Sequence, residues 1–106
     1  MWFSASLLLK SVHEIIPEVQ GIWEEVIVLI SADDERQARV MAERLGKSRE
    51  HEYEVSEPQP HLLKWVFVRI ERMYQIESDK LDSGVEVFSR FLKLSEVESM
   101  STPFDD

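Results

Sequence analysis

Two segments of this chain lack a polar phase. Val26-Ile27-Val28-Leu29-Ile30 is apolar throughout, and so is Trp65-Val66-Phe67-Val68. A strand with one wet face alternates apolar and polar side chains, so unbroken apolar runs of this length ask for burial on both faces of a sheet. The chain offers a single clear amphipathic helix as cover, and one helix lies over one face. The second face needs another cover. Leaving several Ile, Leu or Phe side chains wet forfeits about 1.5–3 kcal/mol each and creates an aggregation hazard. A second copy of the chain is the simplest cover, packed face to face or strand to strand at an edge. The rival cover is internal, with the long loop after the helix and the C-terminal segment folding back over that face.

The rest of the chain fixes the frame. At 106 residues it fits one domain, large enough for a core of modest stability. Its 43% hydrophobic and 31% charged residues are those of a soluble globular protein. A net charge of -9 disfavours nucleic acid, which is bound through Lys and Arg, and disfavours anionic membrane surfaces. Cysteine is absent, which excludes disulfides, thiol catalysis and Cys-ligated zinc. Met1 to Val12 is apolar, with no preceding basic region and no small-residue cleavage site. It matches a signal peptide poorly and is too short to span a bilayer. The expected location is the cytoplasm, with no membrane partner and no cofactor.

Read along the chain, Trp2 to Val12 is a strand, with Phe3, Ala5, Leu7 and Leu9 on one face and Ser4, Ser6, Leu8 and Lys10 on the other. His13 to Gly21 is a connection, and Trp23 to Ile30 a second strand. Asp34-Glu35-Arg36-Gln37 opens a helix as a capping-box variant. Ala38, Met41, Ala42 and Leu45 form its apolar stripe, and Gly46 is read as its stop. Lys47 to Leu62 is a polar loop with a short extended piece at Tyr53-Glu54-Val55. Leu63 to Ile76 is a third strand. A turn ends at Asp82-Ser83-Gly84, and Val85 to Leu92 is a fourth strand. The fold class is α+β, in the order ββαββ. It is a four-stranded mixed sheet, with a crossover helix on one face and the second face buried by dimerisation. Residues 1–94 form the domain. Residues 95–106 form an acidic, Ser-rich tail expected to be mobile, with room for a short helix using Leu94 and Val97.

Several of these segments, in this order, resemble one family. They are Trp2-Phe3-Ser4-Ala5, Trp23-Glu24-Glu25, the Ala32, Ala38, Ala42 spacing, Arg49-Glu50-His51-Glu52-Tyr53, Trp65-Val66-Phe67-Val68 and Gly84-Val85-Glu86-Val87-Phe88-Ser89-Arg90. The family is DUF4288, a bacterial domain of unknown function, and the resemblance runs from Met1 to Leu92. It implies a small bacterial cytoplasmic protein and supports the domain limits. It brings no catalytic residues with it.

The candidate chemistry is sparse. His51, among Arg49, Glu50, Glu52 and Tyr53, is either a group that titrates near neutrality and handles protons or anions, or a solvated linker residue. Glu86, Phe88 and Arg90 share one face of the fourth strand. They read either as a pocket with Arg90 as a carboxylate or phosphate clamp, or as cross-strand ion pairs, including Arg90 against Glu86 of a second copy. Trp2, Trp23 and Trp65 are walls of a ligand pocket or ordinary packing with the indole N–H on backbone. Glu24 and Glu25 point to opposite faces of a strand and cannot act as a pair. His13, His51 and His61 are dispersed without metal-ligand spacing, and no metal site is expected. Nucleophile motifs are absent, and three glycines cannot build a phosphate-binding loop. The leading reading is a non-catalytic homodimeric interaction module. The alternative is a small-ligand binder or minor enzyme with a pocket near Trp65, Phe88 and Arg90, reached also by His51 and Glu86.

Overall fold

The computed structural model describes residues 1–14, 21–57 and 59–100. The connection expected over His13 to Gly21 lies partly outside them, as do Pro58 and the end of the tail. The elements run β1 (Trp2–His13), β2 (Trp23–Ser31), α1 (Glu35–Ser48), β3 (His51–Val55), β4 (His61–Ile76) and α2 (Leu94–Met100).

The four strands form one sheet in the order β2-β1-β4-β3, and each neighbouring pair is antiparallel. The class is α+β as expected, but the sheet is not mixed. β2 and β4 flank β1 instead of touching, so α1 makes no crossover between parallel neighbours. Strand pairing is non-local, and the hydrophobic pattern of each strand is equally compatible with either arrangement. The four strands are also not the expected four. His51–Val55 pairs as β3, whereas Val85 to Leu92 forms no strand.

β1 is the spine. Phe3, Ala5 and Leu7 are completely buried, and Leu9 is nearly so, on the face that α1 covers. Opposite them in register are Ile30, Val28 and Val26 of β2, and Met73, Ile70 and Phe67 of β4. The register between β1 and β4 slips twice, stepping over Glu71 and then over Val68. Such bulges bend a strand and raise its twist. They also explain the unbroken run Trp65 to Val68. Trp65 and Phe67 face α1, Val66 faces away, and Val68 sits at an irregularity where alternation fails.

α1 begins where its cap chemistry puts it. The Asp34 carboxylate accepts from the Gln37 backbone N–H at 2.8 Å, and the Gln37 side chain accepts from the Asp33 N–H at 2.6 Å. The helix lies down on Ala38, Ala42 and Gly46, all buried, while Leu45 of the expected stripe is exposed. Gly46 is therefore not the stop. The helix continues to Ser48 and is closed by Arg49. A Cβ at Gly46 would stand 2.4 Å from the Phe67 ring, so the missing side chain is the notch that lets β4 approach.

The second face is covered in part from within. Asp82 and Val85 close a turn through a 3.2 Å backbone hydrogen bond, with Gly84 at φ 91 as a type II turn requires. The chain then crosses β1 and β4 as an irregular strap. Ser4 Oγ donates to the Val87 carbonyl, the Tyr74 hydroxyl donates to the Glu86 carboxylate, and the Phe88 ring meets Tyr74 edge-on at 6.1 Å. These contacts explain why the alternating Val85 to Leu92 segment lies across strands instead of along one. Beyond it, α2 forms within the expected tail and buries none of its residues.

Candidate functional site

The strap leaves the β2 side of the second face open. Ile27 and Leu29 pair with Ser6 and Ser4 and point away from α1. They remain 55% and 48% exposed, and Trp23 at the start of β2 is 51% exposed. Lys10 stands 5.5 Å over the Trp23 ring, a cation–π contact that shields one side of the indole. Glu25 accepts from Ser6 Oγ on this face, while Glu24 lies opposite Leu9 on the helix face. The two carboxylates diverge as the strand period requires.

β2 is also an edge, and among the described residues no strand pairs with its outer side. Edges are usually blunted by charge, brevity, proline or bulges. β3, the opposite edge, is five residues long and carries Glu52 and Glu54. The free margin of β4 beyond β3 carries both register shifts together with Arg69, Glu71 and Arg72. β2 has none of these devices over Val26 to Ile30. It is nine residues long, unbulged and without a base.

The residues singled out by sequence fall into separate places. His51 lies opposite Trp65 in the β3–β4 register, on the face of α1. Its ring stacks on Tyr53 at 5.5 Å, and Trp65 Nε1 donates to the Tyr53 hydroxyl at 3.2 Å, a side-chain partner instead of a backbone one. Glu86 and Phe88 gather at Tyr74 on the other face. The sheet therefore separates His51 and Trp65 from Glu86 and Phe88. Arg90 joins neither group. It is exposed beside α2, with Met100 Sδ 4.0 Å from its guanidinium.

Sequence reasoning passed over three features of these clusters. Tyr53 and Tyr74 organise the two aromatic groups, and the signal available was a Tyr at an alternating strand position. Glu86 also acts on Tyr74 electrically: the hydrogen-bonded carboxylate raises the phenol above its ordinary pKa of 10.0. The third feature is a histidine pair. His13 Nδ1 lies 2.7 Å from His61 Nε2, although the two are 48 residues apart in sequence. Among the described residues no group of three or more His, Asp or Glu gathers as metal ligands, and no helix is long and apolar enough to cross a membrane.

A four-stranded antiparallel sheet carrying one covering helix, one strap and one unguarded edge defines a small α+β domain. The chain belongs to the family described as a domain of unknown function, DUF4288, whose model matches residues 2–89. That span takes in the sheet, α1 and the Tyr74 contacts of the strap, and ends before α2. No curated protein and no solved structure matches the chain.

Proposed function

We propose that this protein is a homodimeric interaction module without a catalytic role, and that two copies join through β2. The observation that carries this reading is the unguarded edge. The unpaired backbone groups of β2 and the exposed Ile27 and Leu29 side chains lie on the same strand, and a second β2 satisfies both.

The sequence of β2 suits pairing with itself. A two-fold axis at Val28 sets Val26 against Ile30, Ile27 against Leu29, and Val28 against its own copy. Every pair in this core is apolar, and Glu25 meets Ser31 at either end. No carboxylate faces a carboxylate. Ile27 and Leu29 of both copies then form one four-residue cluster on the second face, beside the straps. In this reading residues 1–94 are the folded unit, with the acidic tail outside the interface.

The absence of cysteine makes a direct test simple, because one introduced thiol reports alone. Antiparallel partners have Cα atoms about 4.5–5.5 Å apart, within the disulfide range of about 4.4–6.8 Å. Val28→Cys is expected to form a disulfide-linked dimer on mild oxidation, and Val55→Cys on the charged β3 edge is expected not to. Absence of a cross-link in Val28→Cys, the one position that faces its own copy, would overturn the reading.

A further inference from the structure

His13 closes β1 and His61 opens β4, and antiparallel pairing brings these two ends together. The Glu14 backbone N–H donates to the Leu62 carbonyl at 3.1 Å and fixes the junction. His61 is 4% exposed, whereas His13 is half-buried and reachable from solvent. The ring centroids are 5.0 Å apart with planes tilted by 42°.

The partner of the remaining His61 nitrogen decides what the pair can do. His61 Nδ1 lies 2.6 Å from the Gln59 carbonyl oxygen, which can only accept. His61 Nδ1 therefore carries a proton, and in the neutral ring Nε2 presents its lone pair to His13. This is the outer-shell arrangement of a metal-ligating histidine, whose second ring N–H is held by a backbone carbonyl that fixes both tautomer and orientation.

We infer that His13 and His61 form a two-imidazole clamp for a borderline transition-metal cation of the zinc, nickel and copper class. The ligands are His61 Nε2 and His13 Nδ1. Imidazole nitrogen suits these metals, and the chain has no thiolate to compete. The geometry is close. Two Zn–N bonds of about 2.0–2.1 Å at a tetrahedral angle place the nitrogens about 3.3 Å apart. The rings must therefore open by about 0.6 Å from their hydrogen-bonded separation. A small tilt of the more exposed His13 achieves this, and its ring proton passes from Nδ1 to Nε2 without a change in charge.

Among the described residues these two side chains are the ligands, which leaves the other coordination positions to water or to further donors. The site therefore suits an exchangeable metal instead of a permanent structural one. Its place is mechanical as well as chemical, because a cation held there braces the registry between the two central strands.

The test is calorimetric titration of the metal-free full chain with zinc chloride, alongside histidine ring NMR. The expected result is saturable binding of one zinc per chain, with ring signals of His13 and His61 shifting and those of His51 unmoved. Loss of an outer-shell partner alone typically weakens metal binding about 10–100-fold. His13→Gln, at the accessible member of the pair, is therefore expected to weaken binding at least about tenfold. Failure of the wild-type chain to bind zinc would overturn the inference. So would undiminished binding by His13→Gln, or a shift confined to His51.

Discussion

Replacing Gly46 with alanine tests how α1 seats on the sheet. In an exposed helix the change gains about 1 kcal/mol, because alanine is the better helix former. Here the new methyl would lie 2.4 Å from Cδ1 and Cε1 of Phe67 and 2.7 Å from Cζ. Those distances are about 1 Å inside ordinary carbon–carbon contact. The whole ring edge must move, and Phe67 is held by the bulged β4 and by the neighbouring core. Overpacking of this kind costs about 1–3 kcal/mol, and so deep an overlap belongs in the upper half of that range. The net expectation is a loss of about 1–2 kcal/mol, read as a fall in Tm of about 4–10 °C for a domain of this size. The assay is thermal unfolding of Gly46→Ala, Phe67→Leu and the double variant. Removing the ring should turn the alanine from harmful to neutral or helpful, a coupling of about 1–3 kcal/mol between the two positions. A Gly46→Ala variant more stable than wild type would refute the close seating of α1 on Phe67.

Two further outcomes follow from the strap and from α2. The Glu86 carboxylate raises the Tyr74 phenol, so the folded chain holds that proton more tightly than the unfolded chain does. The resulting contribution to stability is full below about pH 10 and fades as the pH rises through the folded Tyr74 titration. In a Tyr53→Phe background, ultraviolet absorbance should show Tyr74 ionising above 10.0, and Glu86→Gln should bring it back toward that value; an unmoved titration would contradict the Tyr74–Glu86 contact. The second outcome concerns α2, which packs against no other helix or strand among the described residues and leaves Leu94 at 72% and Met100 at 64% exposure. Truncation after Leu92 should change stability by no more than about 0.5 kcal/mol, as for surface changes in general; a clear fall in Tm would show that the helix braces the fold.

What could be read from the sequence was what local chemistry decides. Asp34 and Gln37 announce the helix start because capping bonds span three or four residues. β1 shows its two faces through strict alternation from Phe3 to Leu9. The failures are non-local. β3 reads only as a short extended piece, Tyr53 to Val55, inside a polar loop, because a charged edge strand such as His51-Glu52-Tyr53-Glu54-Val55 protects itself with the polarity that marks loops. Val85 to Leu92 alternates like a strand, yet its Glu86, Val87 and Phe88 are held by Tyr74 and Ser4 from the face of the sheet. Gly46 looked like a helix stop because its packing role lies in Phe67, far along the chain. The demand for cover on the second face was legible, and its answer is divided. The strap covers Ser4 and Tyr74, while Ile27 and Leu29 stay open. The His13–His61 pair was out of reach, because no spacing rule links two residues that meet only when β1 and β4 align.

The reading of β2 as an interface stands or falls on solution mass. Light scattering coupled to size exclusion, run on the intact chain and on Ile27→Lys across a dilution series, measures it directly. Ile27 keeps 55% of its surface exposed in the single chain, and full burial of such a side chain is worth about 1.5–3 kcal/mol. Covering the exposed part gains about 0.8–1.5 kcal/mol per copy, and the two-fold axis counts it twice. Ile27→Lys should therefore weaken dimerisation about 15- to 150-fold and leave the fold of the single chain intact. Wild type is expected at twice 12.5 kDa, giving way to monomer only on dilution, with Ile27→Lys monomeric at concentrations where wild type is paired. A wild-type chain that stays at 12.5 kDa at the highest concentration reached, or an Ile27→Lys variant that pairs as tightly as wild type, would contradict the reading.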